Sequence, residues 1–175
     1  MLAFIIYHEL NQGKCVTERH QKLIEANGYP FEIIEYNNAK HRKQVVTLWK
    51  DIFGYDTARN DPEFVIDQKV AMLDGLFFVA THKTGIVGTV LAGYDGHRGW
   101  IYAMAVHPGH REKGIASLLL SHAERQLASL GCVKINLQIL RGNADVQRFY
   151  RINGYALEDR ISMGKQIDEN LLDIG

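Results

Sequence analysis

Only two cysteines, Cys15 and Cys132, occur in 175 residues, and they lie far apart in a chain well supplied with apolar side chains. Such scarcity excludes a disulfide-stapled scaffold and fits a reducing, cytoplasmic compartment. Excess charge of either sign is missing too: Lys and Arg total 20, and Asp and Glu total 20. Without a basic field to neutralise phosphates or hold an anionic lipid surface, neither nucleic acid nor membrane is expected as a partner. No apolar run reaches spanning length. Residues 2–7 are apolar, but no basic region precedes them and His8-Glu9 follows, which is too short for a secretion signal or a membrane helix. Internal repeats, low-complexity tracts and charge blocks are absent as well, leaving a soluble globular protein as the expectation.

What is present is a regular alternation of helical and strand periods. A domain of this length buries roughly 70% of the surface of its unfolded chain, enough for a core without cross-links. Gly28-Tyr29-Pro30 marks a joint, separating a strand and helix in residues 1–30 from a main domain in residues 31–175. Residues 31–36 read as a strand and 40–53 as a helix with Val45, Val46, Leu48, Trp49 and Ile52 along one stripe. Asn60-Asp61-Pro62 combines a capping side chain with a proline in the first turn, which starts a second helix running to about residue 73. Three strands follow over 76–82, 86–94 and 100–106, and their short connections, one of them Lys83-Thr84-Gly85, make them antiparallel neighbours. Residues 114–130 form an amphipathic helix burying Ile115, Leu118, Leu119, Ala123, Leu127 and Leu130, with Gly131 as its left-handed cap. A strand over 133–139, a helix over 144–153 closed by Gly154 and a last strand over 155–163 complete a mixed α/β fold, with a largely antiparallel central sheet flanked by helices.

The stretch that carries chemistry joins the 100–106 strand to the long helix. His110-Arg111-Glu112-Lys113-Gly114-Ile115-Ala116 sets cations beside successive backbone amides, with small residues where the helix begins. Free N–H groups and the positive end of the helix dipole then converge on one spot, the arrangement that binds phosphate. The spacing from Gly109 to Gly114 imitates a P-loop, but Ile115-Ala116 stands where Lys and Ser or Thr would hold the terminal phosphate and magnesium, so nucleotide hydrolysis is disfavoured. His107 and His110 lack a third ligand on a defined element, and no metal is expected.

Arg111-x-x-Gly114-x-Ala116 after a strand, followed in order by Asn143 and by Tyr150-Arg151-Ile152-Asn153-Gly154-Tyr155, resembles the GNAT family of N-acetyltransferases over roughly residues 31–165. Within it, the string from Gly93 to Gly99 and the run Val106-His107-Pro108 resemble a bacterial YpeA-like subgroup. The resemblance implies acetyl-CoA as cosubstrate, its diphosphate on the backbone of Arg111, Glu112, Lys113, Gly114, Ile115 and Ala116, with Lys113 leaving the detailed shape of the turn open. It also implies a bulged strand in which Met104, Ala105 and Val106 offer backbone groups to the pantetheine arm and the thioester. Asn143 would contact pantetheine, cap its own helix, or do both. Tyr150 would serve the departing thiolate as the catalytic residue. Reference pKa values near ~10 for a phenol and ~8.5 for a thiol make full proton transfer uphill by roughly 2 kcal/mol, which favours hydrogen-bond stabilisation.

An amine acceptor must also lose a proton, and Glu63, Asp67, Asp95 and His97 are candidate bases beside a water relay. Trp49, Tyr55, Trp100 and Tyr102 are either core or pocket aromatics. The family reading is thus an N-acetyltransferase acting on a small-molecule or peptide amine; the alternative is a module that binds acyl-CoA and catalyses nothing. Residues 1–30 could cover a sheet edge, swap into a homodimer partner or shape the acceptor entrance.

Overall fold

A computed structural model describes residues 31–54, 60–83 and 85–167, so the N-terminal extension, Cys15 and Tyr55 lie outside the described residues. Two compact units divide the chain after Gln138. In the first, five strands lie in sequence order: β1 (Glu32–Glu35), β2 (Phe77–His82), β3 (Gly85–Tyr94), β4 (Gly99–Val106) and β5 (Ile135–Asn136). The first four pair antiparallel, and β5 pairs parallel with β4.

Helix α1 (Asn38–Phe53) begins where the Asn37 side chain accepts from the Lys40 N–H at 3.1 Å, and it ends at Gly54 in the left-handed region. Helix α2 (Pro62–Ala71) starts as the Asp-Pro signal predicts, with Asp61 Oδ1 accepting from the N–H groups of Glu63 and Phe64. These side-chain acceptors satisfy helix-end donors that the helix itself leaves unpaired. Successive strand residues face opposite sides of a sheet, and Phe77 and Phe78 show the consequence. Phe77 and Val79 join Val45 and Trp49 of α1, Ile66 of α2 and Leu91 of β3 in one core. Phe78 turns the other way and meets His122 edge-on, on α3 (Ile115–Ser129). Helices on both faces explain why the middle of β2 and β3 is buried on consecutive residues.

Helix α3 buries Ile115, Leu119, Leu120, Ala123 and Leu127. Leu120 is buried, whereas Leu118 is only half-buried and Leu130 is 52% exposed, against the sequence pattern. The helix has stopped by then: Leu130 is its C-cap, and Gly131 follows with φ 86°.

The second unit contains α4 (Ala144–Ile152), ended by Gly154 at φ 89°. Two sequence expectations fail here and at its border. The strand predicted over 133–139 shrinks to Ile135–Asn136, because β4 accompanies it for two residue pairs only. Residues 155–163 form no strand; Leu157, Ile161 and Met163 are exposed. Alternating apolar residues make a strand only when a neighbour accepts their backbone hydrogen bonds.

Candidate active site

Strand β4 changes character along its length. Tyr102 pairs with Leu91 and Ala105 with Thr89, so three steps on β4 face two on β3. One residue too many is the definition of a bulge, and Ala103 absorbs it with φ 46°, in the left-handed region. The phase of the strand shifts as a result. Tyr102 lies on the α1 face by its pairing with Leu91, and Ala105 lies there too, packed in the same core as Trp49. In a regular strand, residues three apart would face opposite sides. The sequence contains no glycine to announce this kink, and the family resemblance places it one residue later, from Met104.

The outer edge of β4 opens at the same place. β5 pairs with Gly99 and Trp100 and then leaves, so Met104, Ala105 and Val106 have no strand on that side among the described residues. The Gly99–Trp100 junction is tight: a Cβ on Gly99 would lie 2.8 Å from Cys132 Sγ and 2.9 Å from Leu127 Cδ1. Gly88 on β3 plays a similar part beneath the open half, since its missing side chain lets Leu119, the Ala105 carbonyl and Ile115 approach within 3.0–3.3 Å of where a Cβ would be. Gly88 thereby brings the end of β4 and the start of α3 together, a role that sequence reasoning did not assign.

Beyond Val106 a single 3₁₀ turn (Pro108–His110) is capped by the His107 ring, whose Nδ1 accepts from the Gly109 N–H at 3.2 Å. Glu112 and Gly114 then both adopt positive φ, 61° and 78°. Alternating backbone hand turns successive amides toward a common side, an anion-binding nest. Gly114 is also the N-cap of α3 and no side chain caps the helix. Among the described residues, no backbone acceptor meets the N–H groups of residues 112–117; the first bonded amide is that of Leu118. A Cβ on Gly114 would meet nothing within 4 Å.

The cations of the turn are engaged with its own backbone. Arg111 Nε donates to the Val106 carbonyl at 3.2 Å, tying the turn to the end of β4, and Lys113 Nζ donates to the Gly109 carbonyl at 3.0 Å. His110 packs against the rings of Phe31, His82 and His107. Burial, followed by the charges of Lys113, His82 and His107, holds its pKa below the usual value. Among the described residues, no group of three His, Cys, Asp or Glu is arranged to hold a metal ion.

The candidate bases separate clearly. Arg42 grips Asp67 at 2.5 Å and Glu63 at 3.4 Å, and its hydrogen bond holds the Asp67 carboxyl below its normal range. Asp95 accepts from the N–H groups of Arg98 and His97 and from Trp100 Nε1, and the first two of these lower its pKa. Hydrogen bonds to the Asp67 and Asp95 carboxylates favour their charged forms. Trp49 is fully buried in the core, whereas Trp100 and Tyr102 are exposed. Within the second unit, Asn143 Oδ1 caps α4 by accepting from the Val146 N–H at 3.3 Å. Tyr150, on the same helix, has its ring edge-on to Phe149 at 5.0 Å and to Tyr155 at 5.3 Å.

The chain has counterparts among known proteins. Residues 42–155 match the acetyltransferase (GNAT) family. The chain belongs to that family. This acetyltransferase, with acetyl-CoA as its cosubstrate, shares its fold with several solved enzymes. AAC(6')-Iy in complex with the bisubstrate analogue CoA-S-monomethyl-acetylneamine is 17% identical, with a TM-score of 0.64 over 79% of this chain and 99% of the other. Glucosamine-6-phosphate N-acetyltransferase from Arabidopsis thaliana is 18% identical, with a TM-score of 0.59 over 79% and 99%. The NatC complex bound to Gag peptide and CoA is 18% identical, with a TM-score of 0.66 over 75% and 87%.

Proposed function

We propose that this acetyltransferase moves the acetyl group of acetyl-CoA to a primary amine by direct attack on the thioester. The observation that carries the reading is the row of amides from Glu112 to Ala116 that meet no backbone acceptor among the described residues, at a Gly114 whose Cβ position is open within 4 Å. The diphosphate lies on the backbone of Arg111, Glu112, Lys113, Gly114, Ile115 and Ala116, where the helix dipole adds to the amides. Arg111 shapes that cradle through the Val106 carbonyl. On the open edge of β4, backbone groups of Met104, Ala105 and Val106 align the pantetheine arm, and a donor there holds the negative charge that grows on the carbonyl oxygen.

The cosubstrate supplies an activated acyl carbon and a thiolate leaving group. The amine nitrogen bonds to that carbon, the carbon–sulfur bond breaks, and the thiolate accepts a hydrogen bond from the Tyr150 phenol before taking up a proton. Asn143, while capping α4 with Oδ1, keeps its amide nitrogen for pantetheine. With Asp67, Glu63 and Asp95 already engaged, the amine proton leaves through water, with His97 as the remaining side-chain candidate. Cys132 donates to the Lys134 carbonyl at 3.2 Å, and direct attack by the amine requires no covalent enzyme intermediate.

Small-molecule and peptide amines are the acceptor classes, supported by the shared fold of enzymes bound to an acetylneamine analogue and to a peptide. The sequence strings noted above support a YpeA-like subgroup, and the low cysteine usage supports the cytoplasm. A homodimer through residues 1–30 remains part of the proposal, and that segment lies outside the described residues. Calorimetry with CoA followed by acetyl-CoA turnover over a broad amine panel tests the reading. Binding with turnover of at least one amine is the expected result; binding without any turnover would favour the acyl-CoA-sensing alternative, and no binding would end both.

A further inference from the structure

Thr89 and Trp49 lie outside every motif, yet both are completely buried and joined end to end. Trp49 Nε1, on α1, donates to Thr89 Oγ1 at 2.8 Å, and Thr89 Oγ1, on β3, donates to the carbonyl of Ala103 at 3.1 Å. Ala103 is the bulge residue with positive φ. The hydroxyl has one proton to give, and Trp49 leaves it no choice of direction. An indole N–H only donates, so it occupies a lone pair of the hydroxyl oxygen and leaves the hydroxyl proton for Ala103.

A trans peptide holds its C=O and N–H in opposite directions within one plane. Fixing the Ala103 carbonyl on Thr89 therefore aims the N–H of the next residue, Met104, away from Thr89. Neither Ala103 nor Met104 has a partner in the β3–β4 ladder, and no strand lies along the other edge there among the described residues. We infer that Thr89, oriented by Trp49, is a positioning residue that aims the Met104 amide at the thioester carbonyl. This rests on the proposed alignment of the thioester along Met104, Ala105 and Val106. The diphosphate cradle at residues 111–116 is reached by no part of the chain Trp49–Thr89–Ala103, so the two ends of the cosubstrate are held by separable devices.

Two probes read the two ends apart: acetyl-CoA, and 3′-phosphoadenosine 5′-diphosphate, which keeps the diphosphate and lacks pantetheine and thioester. Thr89→Val keeps the shape of the side chain and removes the hydroxyl. Calorimetry should show acetyl-CoA binding about tenfold weaker in this variant, unchanged binding of the fragment, and recovery of acetyl-CoA affinity in Thr89→Ser. An equal loss on both probes, or none on either, would overturn the assignment. The unaltered protein offers a second reading that needs no variant to fold. Its four methionines give few amide signals after selective ¹⁵N-methionine labelling, and the Met104 amide should shift on adding acetyl-CoA but not on adding the fragment. A Met104 signal indifferent to acetyl-CoA, in a protein that binds it, sinks the inference alone; a protein that binds neither probe sinks the proposed function instead.

Discussion

In its first half β4 is walled on both edges, by β3 along its length and by β5 at Gly99 and Trp100; in its second half β5 is gone, Ala103 kinks the pairing with β3, and the chain runs into a helix without a cap. The two glycines that bracket these halves differ in the same sense. Gly99 is favoured because Cys132, Leu127 and Ile135 press on the place of its side chain. Gly114 has empty space around it and a positive φ. One glycine is dictated by what the protein packs there, the other by what the protein leaves out. The first N–H groups of a helix have no partner within it, and at Gly114 no side chain caps them and the space beside the glycine is open.

The largest effect should come from filling the open end. Gly114→Val puts a branched side chain at a backbone angle it tolerates poorly and over the free amides, at a conformational cost of about 1–2 kcal/mol. CoA affinity measured by calorimetry should fall about a hundredfold or more while the thermal transition persists; retained affinity would remove residues 112–116 from cosubstrate binding. Next comes a change expected to spare binding. Tyr150→Phe should slow turnover about tenfold to a hundredfold, in line with about 1.5–3 kcal/mol for a hydrogen bond to a charged group, at unchanged CoA affinity. Full turnover in this variant would take Tyr150 out of the mechanism.

Why these positions were legible in the sequence, and others were not, follows from what each depends on. The cap at Asp61, the helical stripe of α1, the start of α3 at Gly114 and the order of β2, β3 and β4 rest on local chemistry, and each has a residue-level signal. The bulge has none. Ala103 combines a positive φ with a long-range bond from Thr89 to its carbonyl, and no property of alanine foretells it. Glu112 shares that conformation although nothing in the sequence calls for a glycine-like residue there. Strand periodicity over 133–139 and 155–163 is real but insufficient, because a ladder needs a partner edge. Arg42 is a further case: its hold on Asp67 and Glu63 spans more than twenty residues of sequence.

Crowding the closed half should give a smaller effect of a different kind. Gly99→Ala adds one methyl group against the ends of three side chains that can shift, placing its cost near the lower end of the about 1–3 kcal/mol typical of overpacking. Chemical denaturation should register the loss and CoA binding should not. A loss of binding larger than the loss of stability would mean that the two halves of β4 are coupled.

The smallest effect concerns two histidines on opposite sides of the same comparison. His122 packs against Phe78 in the closed part of the fold, where burial and then Arg125 lower its pKa. His110 adjoins the open turn, with its pKa lowered by burial and then by Lys113, His82 and His107. In both, the folded state resists the proton more than the unfolded chain does. Below an unfolded value of about 6.5 the unfolded chain therefore binds more protons, and stability falls as the solution is acidified through that value. Only His110 stands next to the proposed diphosphate, and an anion there favours its protonated form. Histidine titrations followed by NMR should show the His110 pKa rising when CoA is added and that of His122 unmoved. If both moved equally, CoA would be acting on the fold as a whole; if neither moved, the diphosphate would lie away from this turn.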